Sequence, residues 1–250
     1  IITGLNNGGG QAVLYRLTTA DRENTHQIIS LMDSGLYGDH LNAAGIPVYS
    51  LNMSRGLVFF KGLLKLYRLI RSINPDVVQT WMYHADLAGG VVARLAGQRA
   101  VVWGIRNCNL DPEKTSCSTR WTAQLCARFS RLVPCKIVSC SEQAVGFHAD
   151  LGFDQSKVVV ISNGYDLTWL TLDPATRFRL RAEWGIDSNT ALLGMIARWD
   201  PLKDHANLFA ALARFQAQSA MHWRCVLVGS DMTDSNAQLV NLLEQYGVRH

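Results

Sequence analysis

Short apolar runs separated by longer stretches of helical periodicity constrain this chain more than any other feature. The runs are Ile1–Leu5, Gln27–Met32, Ile46–Leu51, Asp76–Thr80, Ala100–Ile105, Lys136–Cys140 and Lys157–Ile161, then Ala191–Ala197 and Arg224–Gly229. Helical patterns fill Gly10–Thr19, Leu57–Arg71, His84–Ala96, Ser116–Leu132 and Glu142–Leu151, and later Ala175–Trp184, His205–Gln218 and Asp231–Tyr246. This alternation predicts an α/β chain with parallel sheets and helices on both faces. The runs are continuously apolar, as strands covered on both faces are.

The rhythm breaks over Ser162–Thr176, where Asn163-Gly164 and Asp173-Pro174 are turn signals. The break predicts a Rossmann-like domain over 1–170 and a second, partial one over 171–250, which suits a length of 250 residues. A hydrophobic share of 48% excludes wholesale disorder. Lys and Arg number 24 against 20 Asp and Glu, a bias too weak for a surface that coats nucleic acid. Six cysteines are too few for a disulfide scaffold. Cys108, Cys117, Cys126 and Cys135 recur at a spacing that alternates helix faces, and Cys-x-x-Cys pairs are absent. The expectation is no metal site, no cofactor and a reducing, cytoplasmic setting. No apolar run reaches the roughly 18 residues of a spanning helix. The start at Ile1-Ile2-Thr3, inside a strand pattern, predicts a fragment at the N-terminal end.

Two stretches lack acids. Arg55, Lys61, Lys65, Arg68 and Arg71 lie between Asp39 and Asp76; Lys114, Arg120, Arg128, Arg131 and Lys136 lie between Glu113 and Glu142. Lys61, Lys65 and Arg68 fall on one helical stripe, with Phe59, Phe60, Leu63, Leu64, Leu66, Tyr67 and Ile70 over the remainder. Two readings stand: a core-packed helix with a solvated basic face, or a helix lying on an anionic membrane surface through Leu57–Arg71.

Four motifs carry chemistry. Asn6-Asn7-Gly8-Gly9-Gly10-Gln11 follows the first strand run and opens a helix. Such a loop lets backbone N–H groups approach an anion at a helix N-terminus, or it is a bare turn. A dinucleotide fingerprint fits poorly, with Val13 at the third glycine position and Asp33 as the ribose acid. Arg198-Trp199-Asp200-Pro201-Leu202-Lys203-Asp204-His205 follows a strand run, so Arg198 exits at a carboxyl end and Lys203 stands near the next helix start. Together they suit a diphosphate; the alternative is a surface pair answered by Asp200 and Asp204. Trp81-Met82-Tyr83-His84-Ala85-Asp86 leaves another strand, and His84 is either a helix-start residue or a catalytic one. Ser162-Asn163-Gly164-Tyr165 is a turn at the seam.

In combination these segments resemble glycosyltransferase family 4. The resemblance rests on Gly8-Gly9-Gly10-Gln11, on Val77 to Gly89, on Val160 to Asp166 and on Gly194 to His205, in matching order over nearly the whole chain. It implies a GT-B fold, with the acceptor on the first domain and a nucleotide sugar on the second. It also implies a retaining, metal-independent transfer from a nucleoside-diphosphate sugar to a glycan or lipid-linked acceptor, with localisation in the cytoplasm or at the inner face of the membrane. Gly8 and Gly9 look like the backbone cradle of the donor diphosphate, Arg198 and Lys203 like the cationic pair that neutralises it, and Asn163 and Gly164 like the family's seam turn. His84 is the nearest histidine to the place, at or near Trp81, where many relatives carry one. Gly10, Gln11 and Asp204 stand where relatives often carry Ala, Glu and Gly. The resemblance also implies a second domain cut short before the paired-glutamate motif, and hence a chain that does not transfer sugar alone. The competing readings are a nucleotide-sugar epimerase of the same fold and a non-catalytic nucleotide-sugar-binding module.

Overall fold

The computed structural model describes residues 1–53, 57–108, 110–168, 170–171 and 173–249, so Arg55 lies outside the described residues. The chain divides into two compact units, Ile1–Tyr165 and Asp166–His250.

The first unit is a parallel sheet. Strands β1 (Ile28–Ser30) and β2 (Val48–Ser50) pair, and β3 (Val78–Trp81), β4 (Val101–Ile105), β5 (Lys136–Ser139) and β6 (Val158–Val160) follow in order. Ile2 joins the two groups through single parallel bridges to Ser30 and Trp81. The expected strand Ile1–Leu5 therefore shrinks to the neighbourhood of Ile2, because the chain turns away toward the glycines once Ile2 N–H has bonded Ile29 O and Ile2 O has accepted from Leu31.

Helices α1 (Gly9–Ala20) and α2 (Gly35–Ala43) carry the chain leftward from Ile2 to β1 and from β1 to β2. Helices α3 (Leu57–Ile73), α4 (Gly90–Leu95), α5 (Cys117–Phe129) and α6 (Glu142–Asp150) carry it the other way. Right-handed crossovers put opposite directions on opposite faces. The core divides accordingly: Ile2, Leu5, Leu14, Ile28, Leu41 and Trp81 cluster under α1 and α2, while Leu66, Ile70, Trp103, Ile105, Cys126 and Ile137 fill the α3–α6 side. Helix α2 has no counterpart among the expected helices, because Gly35, Gly38 and a short apolar pattern give it little helical periodicity. The expected helix His84–Ala96 opens with a wider π turn over Ala85–Gly89 before α4 begins.

The second unit holds β7 (Ala191–Ile196) and β8 (Trp223–Val228) as a parallel pair, with α7 (Pro174–Glu183), α8 (His205–Gln218) and α9 (Ala237–Gln245). Phe209, Leu212, Leu239 and Val248 form its core. Helix α9 starts later than Asp231 because Asn236 caps it, accepting from the N–H groups of Gln238 and Leu239 at 3.2 and 3.3 Å.

Candidate active site

In a parallel sheet all strands exit at one edge, and ligands of open α/β folds bind there. At that edge of the first unit, Leu5 leads through Asn6–Gly8 into α1. Among the described residues no side chain caps α1. Ala12 N–H is the first to bond back, to Gly8 O at 3.0 Å, so the N–H groups of Gly9, Gly10 and Gln11 precede the helical ladder. Gln11 Nε2 donates to Gly4 O at 3.1 Å and lies over Gly8, where a Cβ would come within 2.5 Å of Gln11 Oε1. Gly9 faces open space.

The loop rests on a residue that sequence reasoning passed over. Gly35 has φ +49°, and a Cβ there would sit 2.5–2.6 Å from the backbone of Leu5 and Asn6. Tyr37 N–H donates to Leu5 O at 2.9 Å from the same turn. A left-handed conformation costs an L-residue about 1–2 kcal/mol, and the backbone collision adds to it. Gly35→Ala is therefore expected to destabilise the first unit by about 2 kcal/mol or more. An unchanged urea midpoint would show that the loop yields without cost.

Arg106 is the second omission. It follows β4 just as Arg198 follows β7, so the strand-exit argument that selected Arg198 applies to it equally. Its guanidinium carbon lies 4.0 Å from the centroid of buried Trp81, and its Nη1 donates to Asn163 Oδ1 at 2.8 Å. Burial works against its charge. No carboxylate lies within 4 Å of it among the described residues, and Nε is buried without a partner. Its Cγ is 3.9 Å from where a Cβ of Gly10 would stand, so this under-answered cation adjoins the α1 N-terminus. Asn163 thus acts within the first unit, and Tyr165 beside it stacks on Arg16, whose guanidinium carbon is 4.5 Å from the ring centroid.

At the exit of β3 a carboxyl is sealed in. Asp86 is 1% exposed, 2.5 Å from Thr80 Oγ1, and accepts from Gly104 N–H at 3.3 Å. Burial lifts its pKa to about 7, against the pull of those two hydrogen bonds and of Arg106. Met82, between this group and the strand, holds φ +72°, a rare conformation for such a side chain. His84 turns elsewhere: its Nε2 is 3.5 Å from Ser118 Oγ in the first turn of α5, and burial lowers its pKa. No hydrogen bond joins it to the glycine loop among the described residues.

In the second unit, Arg198 Nε and Nη2 donate to Asp200 Oδ2 at 3.0 and 2.7 Å, so the pairing that the sequence allowed is formed. Asp200 also caps the short 3₁₀ turn Pro201–Lys203, accepting from Leu202 N–H at 2.9 Å, and that bond followed by Arg198 holds its pKa low. Lys203 makes no ion pair among the described residues. Asp204 adopts φ +55°, ψ +50°, a conformation that suits the glycine of the family pattern and that Asp tolerates better than most residues. Gly229, at the exit of β8, packs so closely that a Cβ would lie 2.1 Å from Ala197 O and 2.9 Å from Arg198 N. That approach fixes where Arg198 leaves its strand. Among the described residues no three His, Cys, Asp or Glu side chains gather as metal ligands.

The model of Glycosyltransferase Family 4 matches residues 7–169. No curated protein matches. Among solved structures, HepE of Anabaena in complex with UDP and glucose is 18% identical with a TM-score of 0.80, over 100% of this chain and 66% of its own. A glycosyltransferase from Rickettsia africae is 17% identical at a TM-score of 0.72, over 100% and 65%. A putative UDP-N-acetylglucosamine 2-epimerase from Listeria monocytogenes is 14% identical at 0.52, over 100% and 66%. The chain spans about two thirds of these structures. Its two α/β units follow the GT-B order, the second with two strands among the described residues where a doubly wound half carries about six. By the match over most of its length, the chain belongs to glycosyltransferase family 4.

Proposed function

We propose that this chain is part of a retaining glycosyltransferase that moves a sugar from a nucleoside-diphosphate sugar to a glycan or lipid-linked acceptor, without a bound metal. The observation that carries the reading is a repeated device: at the carboxyl edge of each unit's sheet, a cation stands beside unpaired or lightly paired donors. In the first unit these are Arg106 and the uncapped N–H groups that follow Gly8 and Gly9. In the second they are Arg198 and Lys203. As the anomeric bond breaks, negative charge grows on the leaving diphosphate. Donors fixed in advance stabilise that charge more than they stabilise the bound substrate. His84, turned toward Ser118, is given the role of orienting the donor sugar or the acceptor hydroxyl. The bound UDP and glucose of HepE support a uridine nucleotide as the first donor to try.

The test is a nucleotide-sugar panel with the whole enzyme and mass detection of released nucleoside diphosphate, with and without chelator. Acceptor-dependent release that survives chelation is expected. Conversion of the donor without acceptor would favour the epimerase, and binding without turnover the non-catalytic module. Loss with chelator and rescue by Mg²⁺ would remove the basis for Arg198 and Lys203 as the diphosphate pair.

We further propose peripheral contact with an anionic membrane surface through Leu57–Arg71. Among the described residues of α3, Gly62, Leu66 and Ile70 are fully buried and Leu63, Leu69 and Ile73 pack against the core, whereas Phe59, Phe60, Leu64 and Tyr67 are exposed beside Lys61, Lys65 and Arg68. The helix therefore seats one face on the core and leaves a second, apolar and basic face open. No helix is long and apolar enough to cross a membrane among the described residues.

A further inference from the structure

The α3 face does not stand alone. Crossover direction places α3, α4 and α5 on one face of the sheet, and α4 packs against α3 while the π turn before it packs against α5. Helix α5 buries Ala123, Cys126 and Ala127. Its opposite side shows Trp121, Leu125 and Phe129 one turn apart, continued by Leu132 just past its end. Trp121 is 68% and Leu132 71% exposed, as much as Phe60 on α3. Leu95, at the end of α4, is 71% exposed between them. Soluble surfaces scatter such residues singly; a contiguous set on one face marks a contact surface.

The charge carried by the two helices themselves is of one sign. Neither Leu57–Ile73 nor 117–132 contains an acid. Lys61, Lys65, Arg68, Arg71, Arg94, Arg128 and Arg131 are all exposed. The one carboxylate of the intervening turn, Asp86, is buried. Acids flank the two helices, with Asp76 after α3 and Asp111 and Glu113 before α5, and return on α6 with Glu142 and Asp150. Aromatic and leucine side chains ringed by Lys and Arg match the boundary between acyl chains and anionic headgroups. Trp is the side chain best suited to that level, apolar in body with one N–H to leave in the headgroups.

We propose that α3 and α5, with Leu95 between them, form one docking face for an anionic lipid bilayer, with Trp121 inserted at the interface. This rests on the α3 membrane reading above and adds a second helix to it. The test uses the 250-residue chain with phosphatidylcholine–phosphatidylglycerol vesicles whose phosphatidylglycerol acyl chains are brominated. Trp121 is largely exposed, so Trp121→Phe should leave the fold intact. Expected are sedimentation with these vesicles that falls with salt, and tryptophan quenching in the parent chain that Trp121→Phe loses. Arg128→Gln and Arg131→Gln should each weaken binding about fivefold, the scale of one basic residue at an anionic surface. Binding that responds only to Lys61→Gln, Lys65→Gln and Arg68→Gln, with Trp121 unquenched, would overturn the second helix and leave α3 in place. Absence of any vesicle binding would overturn both.

Discussion

Arg198→Ala or Lys203→Ala in the whole enzyme should lower turnover by roughly two to three orders of magnitude, the cost of removing one preorganised donor of the oxyanion type. The two residues reach that expectation by different routes. Arg198 is held by Asp200, but the pair is half open to solvent on the arginine side, and an exposed pair is worth at most about 1 kcal/mol. An incoming diphosphate, with two charges, can displace it. Asp200 then keeps the guanidinium in place while the cleft is empty. Lys203 has no such holder and depends on the turn that Asp200 caps and Asp204 completes with its left-handed backbone. Asp200→Asn keeps the acceptor for Leu202 N–H and removes the charge, so it should disturb Arg198 far less than Arg198→Ala does. The measurement is kcat under saturating donor. Parent-like kcat in both alanine variants would remove the two cations from the mechanism.

What was legible in the sequence follows from where each signal is written. Strand runs β1 to β8 are apolar, and in β1, β3, β4 and β5 that composition reports burial between two layers of helix; β7 and β8 are as apolar, yet Leu193, Ile196 and Val228 are exposed. Arg198 and Lys203 were legible because they flank a strand run and a turn with Pro201. Arg106 occupies the same kind of strand exit but lies among Asn107 and Cys108, with no turn signal to draw the eye. Gly35 looked like one loop glycine among many; its meaning lies in the backbone of Leu5, distant in sequence. Asp86 was visible as an acid at a strand exit, yet its burial and its bonds to Thr80 and Gly104 arise only when β3 and β4 come together. The exposure of Phe60 and Trp121 was equally hidden, since periodicity reports an apolar stripe without saying whether anything covers it.

Asp86 also sets the pH dependence of the first unit. A carboxyl with its folded pKa raised from 3.8 to about 7 stabilises the fold below 3.8, and that contribution is lost as pH rises through about 7. Full ionisation would cost on the order of 4 kcal/mol, at about 1.4 kcal/mol for each tenfold change in proton affinity. Another buried group pulls the other way. His148 is fully buried, its Nδ1 donating to Ala144 O and its Nε2 accepting from Tyr83 Oη, both at 2.6 Å. Its lowered pKa gives stability that is present above 6.5 and lost as pH falls below that value. The two slopes have opposite sign where they overlap, so the parent curve reports only their sum. Asp86→Asn separates them. The amide matches the neutral carboxyl in shape and can still accept from Gly104 N–H and bond Thr80. The variant should equal the parent near pH 4 and exceed it increasingly toward pH 8, read as slower amide exchange at Trp103 and Gly104 and a higher urea midpoint. A gap that stays constant across that range would mean that Asp86 is ionised throughout. It would then be a permanent counter-charge to Arg106, which would weaken Arg106 as a receptor for an anion. A gap that opens with pH leaves Arg106 without that counter-charge below neutrality, free to take its anion from a ligand.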